Sequence, residues 1–238
     1  MRLLTKLWNA FRFCKDHLES YKKAAAPKNL STLNEWLLHN FSITYNSALK
    51  AFDEYNYTRA LEEIEAFFWN NFCDNYLELV KDQLFNPEKY NKEEIDGTRF
   101  VLYEVGFGIL QLLSPILPHI TETLYGQFYE NKEQSESIHI SQFDNKRYGY
   151  NFEQSAKLFD KIIKVVGTVR KLKSEKNLSL KQEVAELIIC GSDSEKIKTL
   201  ETLLSGVTHA KSIKYSGESS EKDGIEEVDG AWKITVRV

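Results

Sequence analysis

The residues that decide the fold are Phe68–Lys81, FWNNFCDNYLELVK, an aromatic-rich stretch whose large side chains stand at helical spacing. This spacing places the aromatic side chains in the core of a helical protein. The stretch lies within a predicted helix over residues 59–84, which Thr58 can cap. Asp74 and Glu78 are four residues apart on one face of that helix, and we expect them to bind a basic group across a helical bundle.

Helices are predicted on both sides of this stretch. Apolar residues spaced by three and four predict an amphipathic helix over 2–21. Thr32 and Glu35 form a capping-box pattern that begins a second helix, which runs to about residue 55. Two prolines break a helix predicted over 98–113, and a short helix resumes over 121–130.

The pattern changes after residue 130. Alternation in Ser137–Ser141 predicts a strand. Further strands are predicted at 184–190, 212–215 and 232–238, and further helices over 152–176 and 195–204. We therefore expect a mainly α protein, in which a bundle of four to five helices over residues 1–130 is followed by a small α/β subdomain over 131–238.

Charge is segregated along the chain, although the net charge is only −4. Residues 1–50 carry 8 Lys/Arg against 3 Asp/Glu, and residues 146–182 carry 10 against 3. Residues 51–145 carry 6 Lys/Arg against 18 Asp/Glu. Because local patches attract phosphate more than the total charge does, the two basic stretches are compatible with nucleic-acid binding. Either stretch alone is also typical of a solvated helix face that complements the acidic middle, so both interpretations stay open.

Several classes of function have no support in the sequence. Apolar runs fall short of the roughly 18–20 residues of a membrane span, and polar residues follow Met1 at once, unlike in a signal peptide. The three cysteines and five histidines show no metal-ligand spacing, so we expect reduced, partly buried cysteines in a cytoplasmic protein. An amphipathic helix that begins at residue 2 favours a boundary within a longer polypeptide.

Four segments, in this order, resemble one family. They are KLWNAFRF at 6–13, FWNNFCDNYLELVK at 68–81, LLSPILPHITE at 112–122 and VRKLKSEKN at 169–177. Together they resemble the C-terminal anticodon-binding region of valyl-tRNA synthetases, which are class I aminoacyl-tRNA synthetases. The Cys73-Asp74 pair favours valyl over isoleucyl or leucyl relatives. The chain departs from the family pattern at Asn75, Ser114 and His119, where the family usually has Trp, His and Phe.

The resemblance implies a tRNA-binding module of a valine–tRNA ligase, which recognises the anticodon stem and loop in cytoplasmic protein biosynthesis. Its helical bundle is then the anticodon-binding domain. Class I synthetases bind ATP through a His-Ile-Gly-His-like and a Lys-Met-Ser-Lys-Ser-like signature, and neither occurs in this sequence. ATP and magnesium would belong to a catalytic core outside this chain, so we expect no catalytic residue, cofactor or metal here. The expected partners are valine tRNA and the enzyme's own catalytic domain, without a membrane.

The resemblance also implies which side chains meet RNA. Unstacked bases need stacking surfaces and hydrogen-bonding groups, and phosphates need Lys and Arg. The expected RNA-binding residues are Asn9, Arg12, Lys15, Lys22, Lys23, Lys28, Arg170, Lys171 and Lys173. Arg12 is the first candidate for a base edge, because its guanidinium can donate two hydrogen bonds at once. The alternative is a structural ion pair between Arg12 and Asp74 or Glu78. For Lys22 and Lys23, which we expect at phosphates, the alternative is a solvated surface lysine.

Aromatic residues and a second basic helix face are further candidates for contact with RNA. The helical spacing of the aromatic residues Trp8, Trp36, Phe67, Phe68, Trp69 and Phe72 favours the core over stacking on RNA. A predicted helix face with Lys157, Lys161, Lys164 and Lys171 could meet the tRNA backbone or the catalytic core. Two hypotheses compete with the valyl assignment. One is the equivalent domain of an isoleucyl-type synthetase, and the other is a helical scaffold that binds protein only, since the acidic middle repels RNA.

Overall fold

The computed structural model describes residues 2–19, 21–23, 25–191, 197–198, 200–216, 226–228 and 232–237. Helices account for most of this structure. The α-helices are α1 (Arg2–Leu18), α2 (Thr32–Asp53), α3 (Tyr57–Ala66), α4 (Glu78–Phe85), α5 (Lys92–Leu113), α6 (Pro118–Phe128), α7 (Glu153–Glu175) and α8 (Glu201–Thr208). A π-helix, Phe67–Leu77, joins α3 to α4, and 3-10 turns occupy Pro87–Lys89 and Ile138–Ile140. None of the described helices has both the length and the apolar character that crossing a membrane requires.

The expected class, a mainly α bundle followed by a small α/β part, is confirmed. Internal contacts divide the chain into two compact units, residues 1–156 and residues 157–238. Residues 131–156, which we expected in the second part, thus pack within the first unit. The division into domains at residue 130 stays a prediction.

Three helices begin at a side-chain cap, which in α2 and α3 is not the threonine that the sequence predicts. Ser31, Asn56 and Asn91 each accept a hydrogen bond from the backbone N–H three residues later, at 2.8 to 3.3 Å. Such a cap satisfies one of the donors that the first turn leaves unpaired. The predicted starts are corrected accordingly. Thr32 is the first residue of α2 and not its cap, Thr58 lies inside α3, and α5 begins well before residue 98.

The long helix predicted around the aromatic stretch forms in three segments, of which the middle one is the π-helix. Phe68, Phe72 and Tyr76 are buried there, and their rings stack with centres 6.2 and 6.4 Å apart. The side-chain amide of Asn75 donates to the carbonyl oxygen of Asn70 at 2.8 Å. This five-residue spacing is that of the π-helical hydrogen bond. Asn75, a departure from the family pattern, therefore supports the backbone of the wider helix.

The central helix of the first unit is α5, which contacts α1, α2, α3, α4 and α6. Every residue over 100–114 is buried. An added side chain at Gly106 would overlap the hydroxyl of Tyr129, and one at Gly108 would overlap the ring of Phe41. Glycine at these two positions therefore lets α2 and the end of α6 approach α5 closely.

One carboxylate lies within this buried helix. Glu104 is 5% exposed and accepts two hydrogen bonds from Arg147, at 2.8 and 3.0 Å. Arg147 also donates to Glu133 at 2.9 and 3.2 Å, and Glu133 accepts from Tyr103 at 2.8 Å and from Lys23 at 2.7 Å. Burial raises the pKa of Glu133, but the hydrogen bonds from Arg147 and Lys23 outweigh it, so the pKa is lowered overall. The network holds the segment after α6 and the loop after α1 against α5.

The strand predicted at Ser137–Ser141 is wrong, because a 3-10 turn forms there. The carboxylate of Glu122 accepts from the Ser137 hydroxyl at 2.9 Å and from the backbone N–H of Ile138 at 3.2 Å. A side chain thus takes a backbone donor that a strand would offer to a neighbour. Ile138 is buried and Ile140 is 66% exposed. Only one of the two apolar residues of the alternating pattern therefore packs in the core, as a single buried side chain of a turn.

The second unit contains a four-stranded sheet in the order β2-β1-β4-β3. The strands are β1 (Glu186–Gly191), β2 (Ile213–Ser216), β3 (Glu226–Val228) and β4 (Trp232–Arg237). The first two strands are parallel, with Leu187 opposite Ile213, and α8 lies between them in the chain, while β4 runs antiparallel to β1 and β3. Three of these strands lie where strands were predicted. Part of the helix predicted over 195–204 falls outside the described residues.

Lys173 is a structural residue of this unit. Its side chain is 1% exposed, and its ammonium donates to the carbonyl oxygens of Leu180 at 3.0 Å, Gln182 at 2.7 Å and Thr208 at 2.8 Å. Burial lowers the pKa of Lys173. The three donors of the ammonium are all used. The expected RNA contact of Lys173 is therefore wrong, because the group is enclosed and bound to backbone.

The buried thiols Cys14 and Cys73 are both free. Burial raises the pKa of Cys73 to about 12 and also raises the pKa of Cys14. A thiol with so high a pKa stays protonated at neutral pH and is a poor nucleophile. The side chain of Cys190 lies outside the described residues.

We predict that Arg147→Leu lowers the free energy of unfolding by about 3–5 kcal/mol, because it leaves Glu104 and Glu133 buried without their shared partner. Urea denaturation followed by circular dichroism measures the change. Lys146→Leu is the matched control, since it removes the same charge from an exposed neighbour and should change stability by less than about 0.5 kcal/mol. Equal losses in the two variants would contradict a stabilising role of the network.

We predict that Lys173→Met destabilises the second unit, because it removes the donor of three carbonyl oxygens, and the buried one, that of Thr208, costs roughly 1–3 kcal/mol when left without a partner. Hydrogen exchange of the amides in β1 and α8 should become faster. Lys176→Met, at an exposed position just after α7, is the control and should leave these exchange rates unchanged. Unchanged protection in Lys173→Met would mean that the three carbonyls do not depend on the ammonium.

Candidate nucleic-acid interface

The exposed surface of α1 carries four side chains, each of a type that commonly contacts RNA. One side of this helix is buried, through Leu7, Ala10, Phe11, Cys14 and Leu18. The rest of its surface exposes Trp8, Asn9, Arg12 and Lys15, which we call the α1 face. Trp8 and Arg12 are four residues apart, so their side chains are neighbours on the helix surface. The α1 face thus presents an indole ring, an amide, a guanidinium and an ammonium on one rigid element.

Lys6 anchors α1 to the π-helix. Its ammonium lies 3.1 Å from the carboxylate of Asp74 and 5.1 Å from the centre of the Trp69 ring. The prediction that Asp74 binds a basic group across the bundle is confirmed. Glu78 instead pairs with Lys81 of its own helix, at 2.6 Å. These contacts hold α1 against the π-helix.

Arg12 does not form the structural ion pair that was its alternative. The carboxylates proposed for that pair are engaged with Lys6 and Lys81. Arg12 is exposed and makes no ion pair or hydrogen bond among the described residues. Its guanidinium therefore keeps all its donors for a ligand.

Trp8 is the functional candidate that the sequence argument missed. We expected it in the core, yet its side chain is 39% exposed. The same expectation is confirmed for Trp36, Phe67, Phe68 and Phe72, which are all buried. Trp8 differs because it stands at the edge of the apolar stripe. Its spacing of four from Arg12 was the available signal.

The three lysines expected in the loop after α1 do not have the same role. Lys22 and Lys28 are exposed and make no ion pair within the described chain. The ammonium of Lys23 lies 2.7 Å from the carboxylate of Glu133, which is 7% exposed. Lys23 is thus a partner of a buried acid. It positions the loop that carries Lys22 and Lys28, and its charge is largely neutralised.

The other edge of α1 carries a small aromatic cluster. The rings of Phe13, His17 and Phe85 meet edge to face, with centres 4.8 to 6.1 Å apart, and Phe85 is 63% exposed. Burial lowers the pKa of His17, and the charge of Arg99 lowers it further, against the effect of Asp16. His17 is therefore neutral at neutral pH and adds no charge to this surface.

The remaining expected RNA contacts lie on α7, in the second unit. Arg170 is half-buried and Lys171 is exposed. Both side chains already interact with other groups of the chain. Of the predicted lysine face, Lys157 and Lys164 are also exposed, and Lys161 is partly buried. The geometry makes this face available to a ligand, with weaker support than for the α1 face because its cations have partners.

Comparisons with known proteins show which family the chain belongs to. The family described as the anticodon-binding domain of tRNA ligase matches residues 34–189, which is more than half of the chain. The valine–tRNA ligase of Haloarcula marismortui is 35% identical over 190 residues, covering 80% of this chain and 20% of that protein. The valine–tRNA ligase of Rickettsia canadensis is 34% identical over 226 residues, covering 90% and 27%.

A third relative extends over nearly the whole chain. The valine–tRNA ligase of Thermococcus kodakarensis is 28% identical over 234 residues, covering 98% of this chain and 26% of that protein. The chain spans about a quarter of the length of these curated relatives. With the family match over most of the helical bundle and β1, the chain belongs to the family of anticodon-binding domains of tRNA ligases.

Proposed function

We propose that the chain recognises the anticodon stem and loop of valine tRNA, as part of a valine–tRNA ligase that acts in the cytoplasm. The observation that carries this proposal is the α1 face, where the exposed ring of Trp8 lies beside the unpaired guanidinium of Arg12. The valine assignment is supported by the names of the relatives and by the Cys73-Asp74 pair.

The chemistry of the α1 face suits an unstacked RNA loop. A base can stack on an indole ring whatever its identity, which contributes roughly 1–3 kcal/mol. Identity is then read at the base edge, where the fork of Arg12 donates two hydrogen bonds and the amide of Asn9 can both donate and accept. Lys15, Lys22 and Lys28 supply charge for the flanking phosphates.

The acidic middle of the chain limits where RNA can bind. Residues 51–145 carry 18 Asp/Glu against 6 Lys/Arg and repel phosphate where they are exposed. Several of these carboxylates are neutralised within the first unit, such as Asp74 by Lys6 and Glu133 by Lys23. An RNA backbone is therefore directed to the basic helix α1 and the loop that follows it.

The reaction itself is proposed to belong to the rest of a longer enzyme. ATP and magnesium would bind in that catalytic domain, which is the second proposed partner of this chain. Within the described residues, no group of three His, Cys, Asp or Glu side chains is arranged to hold a metal ion. The role of this chain is then to contribute binding energy and tRNA selection.

We predict that Arg12→Ala weakens binding of valine tRNA about 5- to 150-fold, because a bidentate contact to a base edge contributes roughly 1–3 kcal/mol. Titration of the purified chain by fluorescence anisotropy, at low and moderate salt, measures this. Lys92→Ala is the control: it removes an exposed cation of the acidic middle that has no ion-pair partner among the described residues. It should leave the affinity nearly unchanged.

Altered tRNAs separate the competing hypotheses. Weaker binding of a valine tRNA with a swapped anticodon supports the proposal, and equal binding would leave only phosphate attraction. Tighter binding of isoleucine tRNA would favour an isoleucyl-type domain. A chain that binds neither tRNA and recovers only protein partners would be the helical scaffold.

A further inference from the structure

A cavity of about 220 Å³ opens between α1 and the C-terminal end of α6. Its floor is apolar and is formed by the buried residues Phe11, Cys14 and Leu18. The partly buried ring of Phe128 forms a wall, and the ammonium of Lys15 lies 5.8 Å from the centre of that ring. The cavity therefore combines an apolar floor and an aromatic wall with a positive charge close to that wall.

This cavity continues the α1 face. Trp8, Arg12 and Lys15 follow one another at spacings of four and three, so they form a single row along the helix surface. Lys15 is the last residue of this row and also lines the cavity. A strand of RNA that follows the row from Trp8 would reach the mouth of the cavity within two helical turns.

We propose that the cavity receives one unpaired nucleobase of the bound RNA loop, next to the base held at Trp8 and Arg12. This inference rests on the proposed RNA-binding function. The volume is smaller than the roughly 300–1,000 Å³ of pockets for drug-sized ligands, so it suits a single ring system. A flipped base is commonly held between aromatic and apolar side chains and hydrogen-bonded at its edge.

The rim supplies the hydrogen-bonding groups that such an edge needs. Glu19 and Glu130 offer acceptors, and Lys15 and Lys132 offer donors. The ammonium of Lys132 already donates to the carbonyl oxygen of Leu18 at 2.9 Å, which fixes it at the mouth. Donors and acceptors together match a nucleobase edge, which carries both, better than they match a phosphate, which needs cations alone.

One wall of the cavity lacks a side chain. Gly126 lies in α6 and lines the cavity, and the atom nearest to an added Cβ there is a carboxylate oxygen of Glu130, at 3.7 Å. A Cβ at Gly126 is therefore accommodated, and a larger side chain at this lining residue would reduce the space proposed for the base. On α8, Gly206 is also helical and exposed, with no atom within 4 Å of an added Cβ. It provides a matched control.

The test compares Gly126→Phe with Gly206→Phe in the full 238-residue chain. The probe is an RNA hairpin with the valine anticodon loop, in which 2-aminopurine replaces one loop base at a time. With the unaltered chain, we expect one position whose fluorescence reports a base that leaves the stack and enters the cavity. Gly126→Phe should abolish that signal and weaken binding about 5- to 150-fold, as expected for the loss of one stacked base. Gly206→Phe should retain both.

The outcomes distinguish this inference from the proposed function. If Gly126→Phe binds the hairpin and reports the base like Gly206→Phe, the cavity is not a base site, while anticodon-dependent binding by the unaltered chain still supports the proposed function. If the unaltered chain binds no hairpin, both proposals fall. If circular dichroism shows that Gly126→Phe does not fold, Phe128→Leu takes its place in the test. It removes the aromatic wall and keeps an apolar side chain, so it should lose the same signal and the same affinity.

Discussion

The first unit depends on the pairing of Glu104 with Arg147. Glu104 lies on a helix that is buried over residues 100–114, where an unpaired carboxylate would be strongly unfavourable. The requirement for a partner fixes Arg147, and Arg147 in turn fixes Glu133. Because Glu133 also holds Lys23, the constraint passes from the centre of the bundle to the loop beside the α1 face. A core charge thereby sets the position of a surface loop.

The basic residues divide into two groups that composition cannot separate. Lys6, Lys23 and Lys173 each satisfy an acid or a set of carbonyls in the protein. Arg12 and Lys22 are exposed and make no ion pair within the described chain. Counting cations in the sequence gives the same weight to both groups. The acids and carbonyls that bind a cation lie far from it in sequence. Only the folded structure therefore shows which cations are paired within the protein and which remain available to a ligand.

Much of the helical architecture was predictable, because helix periodicity is a local property. The starts of α2, α3 and α5 were missed by one or more residues, since Ser31, Asn56 and Asn91 compete with nearby residues as caps. The alternating pattern at Ile138–Ile140 predicts a strand where a 3-10 turn forms, because alternation does not reveal a carboxylate sixteen residues earlier that binds the backbone.

The candidate site was predictable to a similar degree. Arg12 could be selected from the chemistry of its guanidinium and from the family resemblance, but its freedom from Asp74 could not be read from the sequence. The sequence predicts Trp8 in the core because the apolar stripe of α1 is broad, and nothing in the sequence shows where the buried part of the stripe ends. The cavity beside Lys15 depends on how α1 packs on α6, which no local pattern contains.

The π-helix has a consequence for how this part of the chain tolerates changes in length. Its turns contain more residues than those of an α-helix, so the segment Phe67–Leu77 contains more residues than α-helical winding over the same number of turns would need. A single-residue deletion there can be absorbed by a return to α-helical winding. The same deletion in α5 would rotate everything that follows by about 100° and turn buried side chains outward. Insertions and deletions among related sequences should therefore be more common within this segment than within the central helix.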